Sequence, residues 1–207
     1  HNAWTVSEAN GQQAMIVHRD ISPENVVLTY DGKVKLVDFG IAKHSHVTGD
    51  TLAGQLKGKY SYMSPEQIRG ETIDHRADQY SLGVLLYILL TGRKPFVADN
   101  DVELLRLIVG EDPTPPSQID PSIPGILEQV SLRCLRKAME ARFPDHNAVA
   151  VAIEDRFLAR HSGSSQDISN LMTSLFPVTS DPVRLRIRML ISAEREGAHR
   201  GVYPVLP

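Results

Sequence analysis

Two short β-prone runs, Val26–Tyr30 and Lys33–Val37, stand on either side of Asp31-Gly32. That dipeptide between alternating apolar residues is the strongest short signal for a hairpin, because a two-residue type I′ loop needs positive φ at both central positions. A loop of that kind pairs Tyr30 with Lys33, Val27 with Leu36 and Asn25 with Asp38. Directly opposed side chains share a face, with Cβ atoms about 4.5–5.5 Å apart. The hairpin is thus expected to bring an amide oxygen and a carboxylate together. Both are hard oxygen donors of the type that magnesium prefers, with water and phosphate oxygens completing its shell.

Upstream of the hairpin lies His18-Arg19-Asp20, five residues before Asn25, and downstream Asp38-Phe39-Gly40. Phosphoryl transfer asks little covalent chemistry of a protein. It needs a base beside the attacking hydroxyl and cations to neutralise phosphate charge. The two motifs match H-R-D-x-x-x-x-N and D-F-G. Further on, Tyr62-Met63-Ser64-Pro65-Glu66-Gln67 resembles the close of a kinase activation segment with Ser64 in the usual Ala position, and Asp74 to Gly83 is similar to the start of a buried central helix. Over residues 14–160 the chain resembles the bacterial eukaryotic-like (Hanks-type) serine/threonine protein kinases, in the C-terminal lobe of their catalytic domain.

The resemblance implies an α+β, protein-kinase-like fold: a mostly helical C-lobe with a small catalytic β-hairpin. It implies transfer of the γ-phosphate of ATP to protein serine and threonine hydroxyls. Asp20 would be the base, Asn25 and Asp38 the magnesium ligands, and Glu24 and Val27 further nucleotide contacts. His18, Arg19, Phe39 and Gly40 would be structural. Asp78 would accept hydrogen bonds from the catalytic-loop backbone, and Glu66 would pair with Arg142. Tyrosine specificity is disfavoured, because the loop lacks the Ala-Ala-Arg or Arg-Ala-Ala insert of tyrosine kinases.

Two departures matter. Ser22 takes the place of the lysine usual two residues after the base, and Lys59 the place of a threonine in the later G-T-x-x-Y-M pattern. In the kinases resembled, those side chains meet beside the base, so Lys59 is expected to restore the missing cation near the transferring phosphate. Ser45, Thr48 and Thr51 lie in a Gly- and polar-rich stretch, Lys43–Gly58, expected to be a long loop. A phosphate there could pair with Arg19. No glycine-rich loop and no V-A-I-K lysine occurs in the sequence, so the ATP-gripping N-lobe is expected upstream, and this stretch alone is not expected to turn over ATP. The alternatives are a pseudokinase scaffold, disfavoured by the complete metal ligands, and a small-molecule phosphotransferase, disfavoured by the Ser-Pro-Glu segment and the Asp78 helix.

Composition agrees with a globular chain. Of 207 residues 42% are hydrophobic and the formal charge is −3, which gives no electrostatic reason for a nucleic-acid partner. The single cysteine, Cys134, excludes an internal disulfide and reads as a buried thiol, which fits a reducing, cytoplasmic setting. The longest apolar run, Leu82–Leu90, is too short for a membrane span. Arg76–Thr91 reads as a helix surrounded by core, and helical spacing recurs over Asp101–Val109, Pro124–Met139 and Asn147–Ala159. His161-Ser-Gly-Ser-Ser marks a linker, giving a catalytic portion at 1–160 and an extension at 161–207. In the extension Ile168, Leu171, Met172 and Leu175 share one helical face, while Val183–Arg200 fits strand and helix equally.

Overall fold

The computed structural model describes residues 5–7, 13–15, 17–39, 60–154, 163–177 and Arg186. By contacts the chain divides into two units. One holds residues 1–27 and 36–162; the other joins residues 28–35 to 163–207. The architecture is mostly helical with two small two-stranded sheets, as the α+β expectation requires.

The first unit begins with β1 (Thr5–Ser7) and β2 (Gln13–Met15), paired antiparallel with Thr5 opposite Met15. A 3₁₀ turn at Pro23–Asn25 leads into β3 (Val26–Leu28), which pairs with β4 (Val34–Leu36). Another 3₁₀ turn, Tyr60–Tyr62, precedes α1 (Pro65–Arg69) and the long α2 (Arg76–Thr91). After these come α3 (Asp101–Gly110), the short α4 (Pro116–Ile119), α5 (Gly125–Cys134) and α6 (His146–Ile153).

Helix α2 is the axis of this unit. Tyr80, Val84 and Tyr87 form a cluster with Phe96, Leu104, Ile108 and Leu135, and a second cluster joins Val130, Cys134, Phe143 and Val149. Gly83 lets α5 come close: a Cβ there would sit 2.7 Å from the Cβ of Cys134. Burial pushes the Cys134 thiol up to about 12, in keeping with a structural residue. The helix is not enclosed on every side, however. Leu82 and Leu89, seven residues apart on one face, are 38% and 82% exposed, and nothing among the described residues covers that stripe.

Helix ends follow local chemistry. Asn100 caps α3 by accepting from the Glu103 N–H at 2.9 Å, Asp145 caps α6 through the Ala148 N–H at 2.7 Å, and Gly92, left-handed at φ 69°, closes α2. Helix α5 stops at Cys134 rather than running to Met139: the Leu135 N–H still donates to the Ser131 carbonyl, but the Arg136 N–H turns to the Arg133 carbonyl. Residues 155–159 of the last helix expected in this unit, and the expected loop Lys43–Gly58, lie outside the described residues.

In the second unit the hairpin tip has a register other than the one expected. Thr29 N–H donates to the Lys33 carbonyl and Gly32 N–H to the Thr29 carbonyl, both at 2.9 Å. The loop is therefore Tyr30-Asp31-Gly32, three residues, with positive φ at Gly32 (78°) alone. That is a type I turn closed by a glycine bulge. Side chains select it: Thr29 Oγ1 bonds Asp31 and accepts from the Lys33 N–H, while Lys33 Nζ meets Asp31 Oδ2 at 2.6 Å. Helix α7 (Ser165–Leu175) packs on this tip. Ser169 Oγ donates to the Tyr30 carbonyl at 2.7 Å, and a Cβ on Gly32 would lie 1.8 Å from the Ser165 carbonyl oxygen. Ile168 and Met172 are half-buried, whereas Leu171, Leu175 and Phe176 stay exposed.

Lys137 yields a test of the main core. Its Nζ lies 4.3 Å from the Phe96 ring centroid and donates to the Ile108 carbonyl at 2.7 Å. Burial pulls the ammonium down from 10.5 to about 8. The charged form is thus less favoured folded than unfolded, so the penalty is complete below about pH 8 and is released as pH rises towards 10.5. Thermal melts of the full-length protein should show wild-type Tm rising relative to Lys137→Met across that window; parallel curves would place Lys137 at its ordinary pKa.

Candidate functional site

The loop from His18 to Asn25 has almost no regular structure of its own, so its backbone groups must find partners elsewhere. Asp78, on the first turn of α2, supplies two: its Oδ2 accepts from the His18 N–H and its Oδ1 from the Arg19 N–H, both at 2.7 Å. Burial pushes the Asp78 carboxyl up from its ordinary value, and the two amide donors oppose that shift.

His18 is fully buried and works in two directions. Its Nε2 lies 3.0 Å from the Val37 carbonyl and its Nδ1 accepts from the Asp20 N–H at 3.4 Å, which together assign the Nε2–H tautomer. Its ring packs on Phe39, centroids 4.5 Å apart. Asn25, 7% exposed, donates Nδ2 to the Asp20 carbonyl at 2.6 Å. The side-chain amide is thus engaged through its nitrogen, and its oxygen is the atom suited to a cation.

Asn25 does not oppose Asp38. The Val37 N–H donates to the Asn25 carbonyl at 2.9 Å, so Asn25 stands opposite Val37 and Asp38 is one step beyond, in line with the three-residue loop. Simple alternation would then send the two side chains to opposite faces. Asp38 also lies beyond the end of β4 and is left-handed, φ 57°; Arg19 at φ 67° is the other described non-glycine residue in that region. Such conformations cost on the order of 1–3 kcal/mol and persist where surrounding bonds over-determine them. Both flank the candidate site, on which Val37 converges from His18 and Asn25.

Ser64 and Pro65 open α1 with a reciprocal capping box: Gln67 Oε1 accepts from the Ser64 N–H at 2.9 Å and Ser64 Oγ from the Gln67 N–H. Serine in the Ala position therefore has a physical role as a cap. Pattern reading assigned nothing to Gln67, yet its Nε2 donates to the Arg19 carbonyl at 3.1 Å. It also passed over Gln79, which exchanges two bonds with the Phe143 backbone, and Lys94, whose Nζ donates to Ser61 Oγ at 3.0 Å. A buried glutamine within an apolar helix is the signal that could have found Gln79.

Glu66 and Arg142 form a two-pronged pair, Nη1 to Oε1 at 2.7 Å and Nη2 to Oε2 at 2.8 Å, with side chains 2% and 0% exposed. The guanidinium also donates to the carbonyls of Arg136, Arg76 and Lys137. All five of its N–H groups are satisfied.

Glu24 and Val27 are both exposed, Val27 by 41% on β3. Ser22 is 2% exposed and its hydroxyl has no partner among the described residues. Gly40, Ser45, Thr48, Thr51 and Lys59 lie outside the described residues. The chemistry of the expected ligands suits a hard divalent cation, since Asn25 offers an amide oxygen and Asp38 a carboxylate.

A family model described as protein kinase domain matches residues 12–177. The chain is 43% identical over 165 residues to the tyrosine-protein kinase MasK of Myxococcus xanthus, covering 80% of this chain and 25% of that protein. It is 35% identical over 192 residues to the serine/threonine-protein kinase PknB of Mycolicibacterium smegmatis, covering 92% and 29%. With a probable serine/threonine-protein kinase of Streptomyces coelicolor, SCO3848, it shares 44% over 144 residues, covering 69% and 21%. The chain thus spans between a fifth and a third of the length of these relatives.

Replacing Arg142 by alanine would leave the Glu66 carboxylate buried without its cation and take the side-chain donor from the Arg136 and Lys137 carbonyls. The variant is expected to lose about 3–5 kcal/mol in denaturant unfolding of the full-length protein; a midpoint equal to wild type would show that the pair carries no such weight.

Proposed function

We propose, from the premise that this chain belongs to the protein kinase family, that it carries the portion of a catalytic domain that delivers the γ-phosphate of ATP to serine and threonine hydroxyls of proteins. The observation that carries this reading is the treatment of Asp20. Its own backbone and that of Arg19 are pinned by the side chains of His18 and Asn25 within the loop and of Gln67 and Asp78 from α1 and α2. A general base must be held to within a fraction of an ångström of the proton it takes, and this loop is built to that requirement.

In this reading the Asp20 carboxylate orients the substrate hydroxyl and accepts its proton. Asn25 and Asp38 hold magnesium, which neutralises charge on the phosphates when bound. The exposed face of Val27 suits the flat base of a nucleotide, with Glu24 nearby in the chain. His18 and Phe39 pack to hold the two ligand-bearing segments together, and Gly40 follows Phe39 in the sequence. A protein substrate, ATP and a cytoplasmic setting complete the proposal; no described helix is long and apolar enough to cross a membrane. The N-lobe that grips ATP would be supplied by the full-length protein.

The exchange at Ser22 and Lys59 belongs to the same proposal. An unpartnered buried hydroxyl costs roughly 1–3 kcal/mol. An ammonium from Lys59 would discharge that cost at Ser22 and place a cation by the phosphate. Phosphate on Ser45, Thr48 or Thr51 would pair with the exposed Arg19 guanidinium and order the segment that carries Lys59. The relatives are named for both tyrosine and serine/threonine kinases, so the acceptor hydroxyl is to be read directly from the phosphorylated product.

In the full-length protein Asp20→Asn is expected to lower turnover by roughly two or more orders of magnitude while ATP binding survives. The transferred label should be found on serine and threonine. Turnover unchanged by the substitution removes Asp20 from the chemistry, and label on tyrosine alone corrects the acceptor.

Lys59→Thr is expected to cost ~10²–10³ in turnover, the loss of one transition-state donor. Adding Ser22→Lys to that variant should recover much of it, a coupling visible only in the double mutant. A fully active Lys59→Thr enzyme would remove Lys59 from the site.

A further inference from the structure

The Arg19–Asp20 peptide is the link through which the base is aimed, and its two polar groups are held by different elements. The N–H, belonging to Asp20, donates to His18 Nδ1, and the C=O, belonging to Arg19, accepts from Gln67 Nε2 at 3.1 Å. The residue that carries the carbonyl is left-handed at φ 67°, and an arginine has no intrinsic preference for that conformation. One side of Arg19 is fixed by Asp78 at its N–H; the other has Gln67. Without the second bond the peptide could rotate towards a relaxed backbone and take the Asp20 carboxylate with it.

Gln67 sits where it can transmit a state. It is the third residue of α1 and closes the capping box with Ser64, so its side chain is already oriented by its carbonyl oxygen before the amide reaches Arg19. Both ends of the amide are used, one on Ser64 beside it and one on Arg19, 48 residues from Gln67 in sequence. A glutamate would serve the cap equally well, since Ser-x-x-Glu is itself a capping box. It could not donate to a carbonyl. Glutamine is therefore required by the second bond rather than by the first.

We propose that Gln67 is a positioning residue for the base: it fixes the Arg19–Asp20 peptide from α1, so that the close of the 60–70 segment and the aim of Asp20 are one geometric unit. This rests on the kinase reading for its catalytic consequence, though not for the geometry. A substrate-binding segment that docks α1 correctly would thereby also set the base.

The substitution that separates the roles is Gln67→Glu, which keeps the acceptor for the Ser64 N–H and loses the donor to Arg19. In the full-length protein it is expected to leave Tm within error of wild type and the KM for ATP unchanged. Turnover should fall about tenfold, a displacement effect at the base. Hydrogen exchange at the Asp20 amide should speed up while exchange along α2 does not. With an active wild type, unchanged turnover or unchanged Asp20 exchange overturns the proposal. So does a turnover loss that appears only with a lowered Tm, which would make Gln67 a helix cap alone. If the wild type transfers no phosphate, the kinase reading fails, and Asp20 exchange in Gln67→Glu by itself decides whether Gln67 fixes the peptide.

Discussion

A guanidinium taken out of water must find an anion and an acceptor for each of its N–H groups, or the fold cannot tolerate it. Arg142 meets that demand by drawing in Glu66 from α1, the Arg76 carbonyl from the start of α2, and the Arg136 and Lys137 carbonyls from the end of α5. Three stretches of chain are gathered by one side chain. A helix as short as α1 has no stability of its own in water. Its location is set by this pair, its start by Ser64 and Pro65, and only then can Gln67 reach the catalytic loop. The precision near Asp20 is thus inherited from a charge pair far from it in sequence.

The interior of α2 shows the same economy. Three neighbouring residues, Asp78, Gln79 and Ser81, are polar and buried, and each takes backbone groups from a different segment: His18 and Arg19, Phe143, and the Tyr62 carbonyl. Apolar residues in those places would pack at least as well but would leave irregular backbone without partners. The helix is a hub for loops, which is why it can carry so many polar side chains at its core-facing start and be apolar thereafter.

What sequence showed of this was whatever local chemistry determines. Helices with a capping residue at the start, such as α3 after Asn100 and α6 after Asp145, began close to where the spacing expects them. The end of α5 did not fall where expected, because the chain leaves the helical ladder at Arg136, whose N–H turns to the Arg133 carbonyl, with no glycine or proline there to announce it. The hairpin was legible and its register was not: Asp31-Gly32 suits a two-residue loop and a bulged three-residue one, and the choice lies with Thr29 and Lys33 side chains. A second turn dipeptide, Asn10-Gly11, lies between β1 and β2 and was passed over. The candidate catalytic residues were named by spacing, since phosphoryl chemistry demands those groups in that order. Gln67 was hidden because its partner, the Arg19 carbonyl, is 48 residues away in sequence, where spacing and local propensity say nothing.

The close approach of α5 to Gly83 also makes the molecule self-reporting. Cys134 sits where two helices nearly touch, with its thiol held protonated by burial, so a thiol-directed reagent has neither access nor a reactive thiolate while the contact persists. Modification then requires the α2–α5 seam to part. Since the chain has a single cysteine, the rate of labelling is a clock for that opening alone. Core breathing can be timed without introducing any probe, at the seam to which the Arg142 network and the Asp78 anchor are both attached.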